Sequence, residues 1–590
     1  MREGWEPWPV PTAARYRQAG LWAGRTVGDL LRELAASHGG RTALVDGAAR
    51  WTYADLDVIA DRVCAGFAAR GVRHGDRVLV QLPNRAEFVH LWLGLARLGA
   101  VPVHAMPGHR LAEIRALLST AEPVAYVVAE RVGRVNLRGL AEQACAGLDR
   151  PPLLVIVGAH ADGSGAEVAG RAGSTGGSTV EGPGRASDVM GWPALLDEGE
   201  RAGPPARPVV GGRAPTSDDL VALLLSGGTT GTPKLVPRTH DDYLLAARSA
   251  AEVCGFGTDT VYLVVLPVGF NFAFSSPGVL GTLVAGGTVV LARDPSPTTT
   301  LRLVERERAT AVALTPPLVP YWLDEFAISR PDLSSLRLLQ VGGARIPDDL
   351  AARAEATLGV PVQQVYGMAE GLVCYTQPDD PAELRHTTQG RPMSPADEIV
   401  VADEDDRPVP PGEVGELLTR GPCTLRGYYR AEAHNRFAFT ADGLLRTGDL
   451  VRQLPSGHLQ VVGRVKDQVN KGGEKIAAVE VEEHLRAYPH VVDAALVAAP
   501  DPKWGECPVA FLVCDGPPPT ARDVAAFLRE RGLAAYKAPE RVRVVDALPL
   551  TAVGKVDKRS LAATASAPEA TMTALPETPA ASVARGWADR

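Results

Sequence analysis

Apolar positions recur at spacings of three and four along TVGDLLRELAASHG (residues 26–39) and ADLDVIADRVCAGFAARG (54–71), which predicts two amphipathic helices. DRVLVQLP (76–83) is a short apolar run rich in β-branched residues and predicts a strand, while EFVHLWLGLARLGAVPVHA (87–105) reads as a helix running into another strand. The alternation resumes at DDLVALLLSGG (218–228) and continues through TVVLAR (288–293), AVALTPP (311–317), LRLLQVGG (336–343) and PVQQVYG (361–367). Each of these runs closes on Gly, Pro or a polar turn, with helical patterns between them. Strands alternating with helices predict an α/β fold built on mainly parallel sheets, whose ligand loops lie beyond the carboxyl ends of the strands.

The periodicity fails in one place and changes character in another. From residue 158 to 212 glycine, serine and alanine dominate, which predicts a flexible insertion. The stretch HLQVVGRVKDQVNKGGEKIAAVEVEEHLRAYP (458–489) reads as a strand before Arg464 and a helix after Ala478, joined by a polar connection with its hinge at Lys466. This divides the chain into a large N-terminal domain over 1–465 and a small C-terminal domain over 466–564, followed by a disordered tail over 565–590 that is rich in Ala, Pro and Thr.

A chain of 590 residues exceeds the size at which one core stops growing, so two or more domains are expected, and the chain can support a cleft between them. A net charge of -8 argues against a broad nucleic-acid surface, which needs clustered cations. The seven cysteines include no CxxC pair, and no run approaches the ~20 apolar residues of a membrane span; together with the polar start MREGWEPWPV this predicts a cytoplasmic protein with reduced thiols.

The candidate chemistry begins with LLLSGGTTGTPKLVPRTH (223–240). Gly227, Gly228 and Gly231 let the backbone turn its N–H groups toward an anion; Ser226, Thr229, Thr230 and Thr232 add hydroxyls and Lys234 adds charge. This suits phosphate, yet Pro233 before Lys234 breaks the Walker A pattern. Four further segments supply what ATP would still need. YGMAE (366–370) offers an aromatic face at Tyr366, backbone at Gly367 and Met368, and the carboxylate of Glu370 for a divalent cation. TGDL (447–450) places Asp449 for the ribose hydroxyls, GRVKD (463–467) adds Arg464, and LPLTAVGKVDKRSL (548–561) presents Lys555.

The joint order of these segments resembles the adenylate-forming enzymes, the superfamily of acyl-CoA synthetases, nonribosomal peptide synthetase adenylation domains and luciferases, over roughly residues 25–562. Within it, WPVPTAARYRQAGLW, NFAFSSPGVLG (271–281), LLQVGG (338–343), QVYGMAEGLVCYT (364–376) and KGGEKIAAVEVE (471–482) look most like the free-standing aryl acid–AMP ligases of the 2,3-dihydroxybenzoate and salicylate type. The resemblance implies an active site between the large domain and a mobile α+β C-terminal domain. It further implies ATP and Mg²⁺ as cofactors, and CoA or the phosphopantetheine of a carrier protein supplied in trans as thiol acceptor. Ser226 to Lys234 would cradle the outgoing phosphates, Tyr366 stack on adenine, Gly343 and Ala344 approach the base, and Asp449 and Arg464 hold the ribose. Glu370 with Thr230 would position the metal, and Lys555 would bridge the carboxylate and the α-phosphate.

The positions matching the family's acid slot are Asn271, Phe272, Ser276, Gly342, Val365, Val373 and Cys374, a flat and mostly apolar set. By the resemblance, Asn271 and Ser276 read an ortho hydroxyl, and Phe272 adds weight to salicylate-like acids. Phe270 stands where the siderophore relatives usually carry histidine, and Cys374 where asparagine is common. The implied substrate is therefore a 2-hydroxyaryl acid used in natural-product or antibiotic biosynthesis, such as a substituted benzoate or a hydroxynaphthoate. The alternatives are 2,3-dihydroxybenzoate for a siderophore, a luciferase-type oxygenase, and an inactive ligand-binding scaffold. Against the scaffold stands the joint presence of Lys234, Glu370, Asp449, Arg464 and Lys555.

Overall fold

The computed structural model describes residues 4–158, 188–203, 213–226, 234–471, 474–501, 504–531, 533, 535–551 and 555–566. Most of the expected elements stand where the periodicity puts them. The first two helices run Val27–His38 and Tyr53–Ala69, each begun by a threonine side chain that accepts from the third helical N–H while an aspartate there answers the threonine's own N–H. The same reciprocal cap, Thr239 with Asp242, starts the helix His240–Val253 directly after the strand Leu235–Thr239.

Among the described residues, two large sheets form the body. One has nine strands, and its central strands Thr42–Asp46, Thr288–Leu291, Val261–Val264, Ala311–Leu314, Leu338–Gly342 and Val362–Gly367 are parallel neighbours in that order. The other has seven and runs from Leu235–Thr239 through Leu220–Leu225, Val101–His104, Arg77–Gln81, Ala125–Ala129 and Leu153–Val157 to Val189–Gly191. Parallel sheets bury both faces, and these strands read as near-continuous apolar runs for that reason. A four-stranded antiparallel sheet follows, made of Glu398–Ala402, Val414–Arg420, Leu445–Gln453 and Leu459–Arg464.

One expectation about the insertion is corrected. Residues 188–203, assigned to the flexible stretch, form the edge strand Val189–Gly191, parallel to Leu153–Val157, and the helix Trp192–Ala202. Trp192 and Leu195 are buried, so a helical spacing at the end of the glycine-rich run holds this piece on the core. The rest of the insertion, 159–187 and 204–212, lies outside the described residues, as do 567–590 of the expected tail, whereas Ala565 is buried within the helix Lys558–Ser566.

Lys466 sits in a 3₁₀ turn, Val465–Asp467, between the four-stranded sheet and the C-terminal sheet. Beyond the strand and helix expected on either side of it, the chain makes two more strands, Gln468–Lys471 and Glu474–Ala477. The C-terminal sheet is five-stranded and separates two small cores, one around Leu496, Leu512 and Leu528 and the other around Val497, Phe511 and Leu561. The small domain is tied to the large one by Arg345, whose guanidinium lies 2.7 Å from Glu483 and donates to the Val461 carbonyl at 3.2 Å. No helix among the described residues is long and apolar enough to cross a membrane.

Candidate active site

The site is built at the carboxyl ends of the neighbouring parallel strands Leu338–Gly342 and Val362–Gly367, where Gly342 faces Val365. Gly343 turns the chain away with φ of +84°, a conformation natural to glycine, and a Cβ there would lie 3.7 Å from Cε of Lys555. Lys555 therefore reaches from the small domain to the strand ends of the large one. Ala344 and Gly367 are exposed beside the half-buried Tyr366.

Asp449 is the hub of this corner. It is buried, accepts from the Tyr366 hydroxyl through Oδ2 at 2.7 Å, and pairs with Nε of Arg464 through Oδ1 at 2.6 Å. Asp449 and Arg464 are directly opposed cross-strand partners, so the sheet register brings together two residues fifteen positions apart. Burial and then the Asp449 charge push the Tyr366 phenol well above its usual range, which keeps it a neutral donor.

Glu370 is held from several sides. Buried Arg238 pairs with Asp242 at 2.6 Å and donates to the Ala369 carbonyl at 2.9 Å; Leu425 N–H donates to the Glu370 carbonyl at 2.8 Å. The Tyr428 hydroxyl donates to Oε1 of the Glu370 carboxylate at 2.9 Å. Burial raises the Glu370 pKa against the opposing pull of that hydrogen bond and of Lys234 and Arg464. A carboxylate with one oxygen already committed, in a dry site near cations, fits a hard divalent ion that would complete its charge balance.

Leu225 and Leu235 pair across the base of the glycine-rich loop, and Ser226 N–H donates to the Lys234 carbonyl at 2.9 Å. Gly227, Gly228, Thr229, Thr230, Gly231 and Thr232 lie outside the described residues, and so does the metal role expected of Thr230. At the far end of the loop the Lys234 ammonium is 2.8 Å from Nε2 of His434 and 4.9 Å above the Tyr428 ring. Burial and then Lys466 push the Lys234 pKa down.

Several of the residues expected to line an acid slot lie together. Phe272, Val365 and Val373 are buried in one core with Phe274. A Cβ on Gly342 would lie 2.9 Å from the Phe272 ring, so glycine is what allows that ring to sit across the strand. Asn271 begins the short helix Asn271–Ser275, and its Oδ1 accepts from the Tyr243 hydroxyl at 2.8 Å, which leaves its Nδ2 donors to a ligand. Ser276 is buried just after this helix, and the Phe270 ring stands edge-on to Phe272 at 6.3 Å.

Cys374 is the exception. It packs with Leu372, Val401, Leu417, Val451 and Leu459, in the cluster that also takes Tyr366 and Met368, while Val373 and Tyr375 join the core with Phe272. Alternation along the strand Val373–Tyr375 puts Cys374 on the face of the sheet that packs with Tyr366 and Met368, opposite to Val373 and Phe272. Tyr243, Tyr428, His434 and Arg238 were missed from sequence. Only the capping pattern before the helix His240–Val253 hinted at Tyr243, and nothing local marks the other three.

These features define an adenylate-forming site, and the comparisons agree: the chain belongs to the AMP-binding enzymes. That family matches residues 31–429, and its C-terminal domain matches 480–555. Among characterised relatives, the 2,3-dihydroxybenzoate-AMP ligase of Bacillus subtilis (strain 168) is 48% identical over 561 residues, 95% of this chain and 97% of its own. A salicylyl-CoA synthase / salicylate adenylyltransferase from a Streptomyces species is also 48% identical, over 562 residues covering 95% and 97%. Among solved structures, apo MbtA of Mycobacterium smegmatis is 42% identical with a TM-score of 0.67, over 95% of this chain and 98% of that one.

Proposed function

We propose that this protein activates a 2-hydroxyaryl carboxylic acid with ATP and transfers the aryl group to a pantetheine thiol. In the first half-reaction a carboxylate oxygen forms a bond to the α-phosphorus and the bond to the bridging β-oxygen breaks, releasing pyrophosphate. In the second, the thiol sulfur attacks the aryl carbonyl, AMP leaves, and the thiol proton goes to solvent. The observation that carries the reading is the approach of Lys555, from one domain, to Gly343 and to the Asp449, Arg464 and Glu370 charges of the other, with Tyr366 bonded to Asp449.

The work of the first step is positioning and charge compensation. Asp449, already oriented by Arg464 and Tyr366, accepts from the ribose hydroxyls; the Tyr366 ring offers the base a face; Lys234 meets the outgoing phosphates. Lys555 brings its ammonium to the carboxylate and the α-phosphate. Mg²⁺, held by Glu370, would neutralise phosphate charge. Asn271, fixed by Tyr243, donates to the ortho oxygen, and Phe272 and Val365 provide the apolar slot. That slot, with Phe270 beside it, suits salicylate, a substituted salicylate or a hydroxynaphthoate.

Two measurements follow from this arrangement. Burial, then Arg464, push the Lys555 ammonium down to about 8, with Asp449 and Glu370 opposing. The charged form is full below that pH and lost above it, so kcat/KM for ATP in adenylation should fall as pH rises through about 8, and Lys555→Ala should lack this limb. Removing the Tyr243 hydroxyl in Tyr243→Phe frees Asn271; kcat/KM for the 2-hydroxyaryl acid should drop about 10-fold, with KM for ATP unchanged. Equal loss for benzoate, which lacks the ortho hydroxyl, would remove the readout assigned to Asn271. The reading as a whole is tested by supplying ATP and salicylate with either CoA or a pantetheinylated carrier protein and measuring the thioester. Thioester on one acceptor, matched by equimolar AMP, supports it; AMP without thioester on either contradicts the transfer step.

A further inference from the structure

We propose that His434 is a positioning residue for the pyrophosphate end of the nucleotide, acting by holding the Lys234 ammonium in place; the inference rests on the adenylation reading above. Lys234 Nζ and His434 Nε2 are 2.8 Å apart. An ammonium has only donors, so Nε2 must accept, which assigns the imidazole proton to Nδ1. Burial, then Lys234 and Lys466, keep His434 below its usual range and therefore uncharged at neutral pH, in the form that can accept.

The arrangement answers a definite problem. Lys234 lies within the field of a second ammonium, Lys466, and like charges drive such side chains apart until an anion arrives. Two groups counter this. The Tyr428 ring presents its face to Lys234 at 4.9 Å, and His434 presents a lone pair. Tyr428 is itself fixed, by the hydrogen bond to Glu370 at one end and by an edge contact to the His434 ring at 5.0 Å. The chain Glu370, Tyr428, His434 and Lys234 thus joins the carboxylate expected to hold the metal to the cation that closes the phosphate loop. Pre-orienting that cation lowers the cost of binding the β- and γ-phosphates and leaves the AMP portion untouched.

His434 is half-buried on the short helix Glu432–Ala438. Leucine keeps the packing against Tyr428 but has no lone pair, while glutamine places an acceptor oxygen near the position of Nε2. In His434→Leu, KM for ATP and the inhibition constant of inorganic pyrophosphate should each rise about 10-fold, the size expected for a hydrogen bond to a charged group. KM for the aryl acid and the affinity for AMP should stay within about 2-fold, and His434→Gln should restore ATP binding to within about 3-fold of the parent. The assignment is overturned if His434→Leu behaves as the parent, if AMP weakens as much as ATP, or if glutamine falls as far as leucine. ATP and AMP affinities are read by ligand-dependent thermal shift, which needs no turnover. A parent that binds ATP but exchanges no pyrophosphate with any acid would contradict the adenylation reading alone, and the ATP-against-AMP comparison would still decide His434.

Discussion

Lys555→Ala should lose adenylation by about 10²- to 10³-fold while still forming thioester from a pre-made aryl adenylate at close to the parent rate. Lys555 approaches the strand end at Gly343 from the small domain, within the field of Arg464, Asp449 and Glu370. In the proposed reaction its ammonium is assigned to both the carboxylate and the α-phosphate during attack, a contact with no part in the attack of a thiol on the adenylate carbonyl. The two half-reactions therefore separate in a single variant. Half-reaction assays by AMP release and by thioester formation measure both; equal loss in the two would assign Lys555 to the fold of the domain instead of to the first step.

Asp449→Ala should reduce kcat/KM for ATP by a similar factor, for a different reason. The carboxylate serves two protein partners at once, accepting at 2.7 Å from Tyr366 and at 2.6 Å from Arg464. Its loss would remove the acceptor proposed for the ribose hydroxyls, free the Tyr366 ring to rotate, and leave Arg464 beside Lys555 with no counter-charge across the strand. Each hydrogen bond to a charged group contributes about 1.5–3 kcal/mol, and two of them amount to about 10²-fold or more. Asp449→Asn retains one acceptor oxygen and should recover part of the ATP affinity. A variant whose KM for ATP matches the parent would show that the ribose is held elsewhere.

The parallel body of the fold was legible because buried strands and amphipathic helices write their periods into the chain, as in DRVLVQLP and TVGDLLRELAASHG. The ordered piece at 188–203 was hidden because its helical spacing starts inside a glycine-rich run, where composition overrides a short pattern. The candidate site residues Tyr366, Glu370, Asp449, Arg464 and Lys555 lie in compact segments that sequence reading can single out one by one. Their pairings are not legible in this way, because the Asp449 to Arg464 contact depends on a strand register and the Tyr366 to Asp449 contact on two sheets meeting. Cys374 shows the sharper limit. In a three-residue strand the parity of one position decides whether a side chain joins Phe272 or the opposite layer, and only the pairing with Tyr366 settles it. Tyr428 and His434 act through contacts with Glu370 and Lys234, residues 58 and 200 positions away, and no local spacing announces such partners.

The most direct test of the central claim is ATP–pyrophosphate exchange, measured with the purified chain and a panel of salicylate, 2,3-dihydroxybenzoate, substituted salicylates, hydroxynaphthoates and benzoate. Exchange that requires the acid, is strongest for an acid bearing an ortho hydroxyl, and collapses in Lys555→Ala is the predicted result. Binding of ATP without acid-dependent exchange for any member of the panel would contradict it.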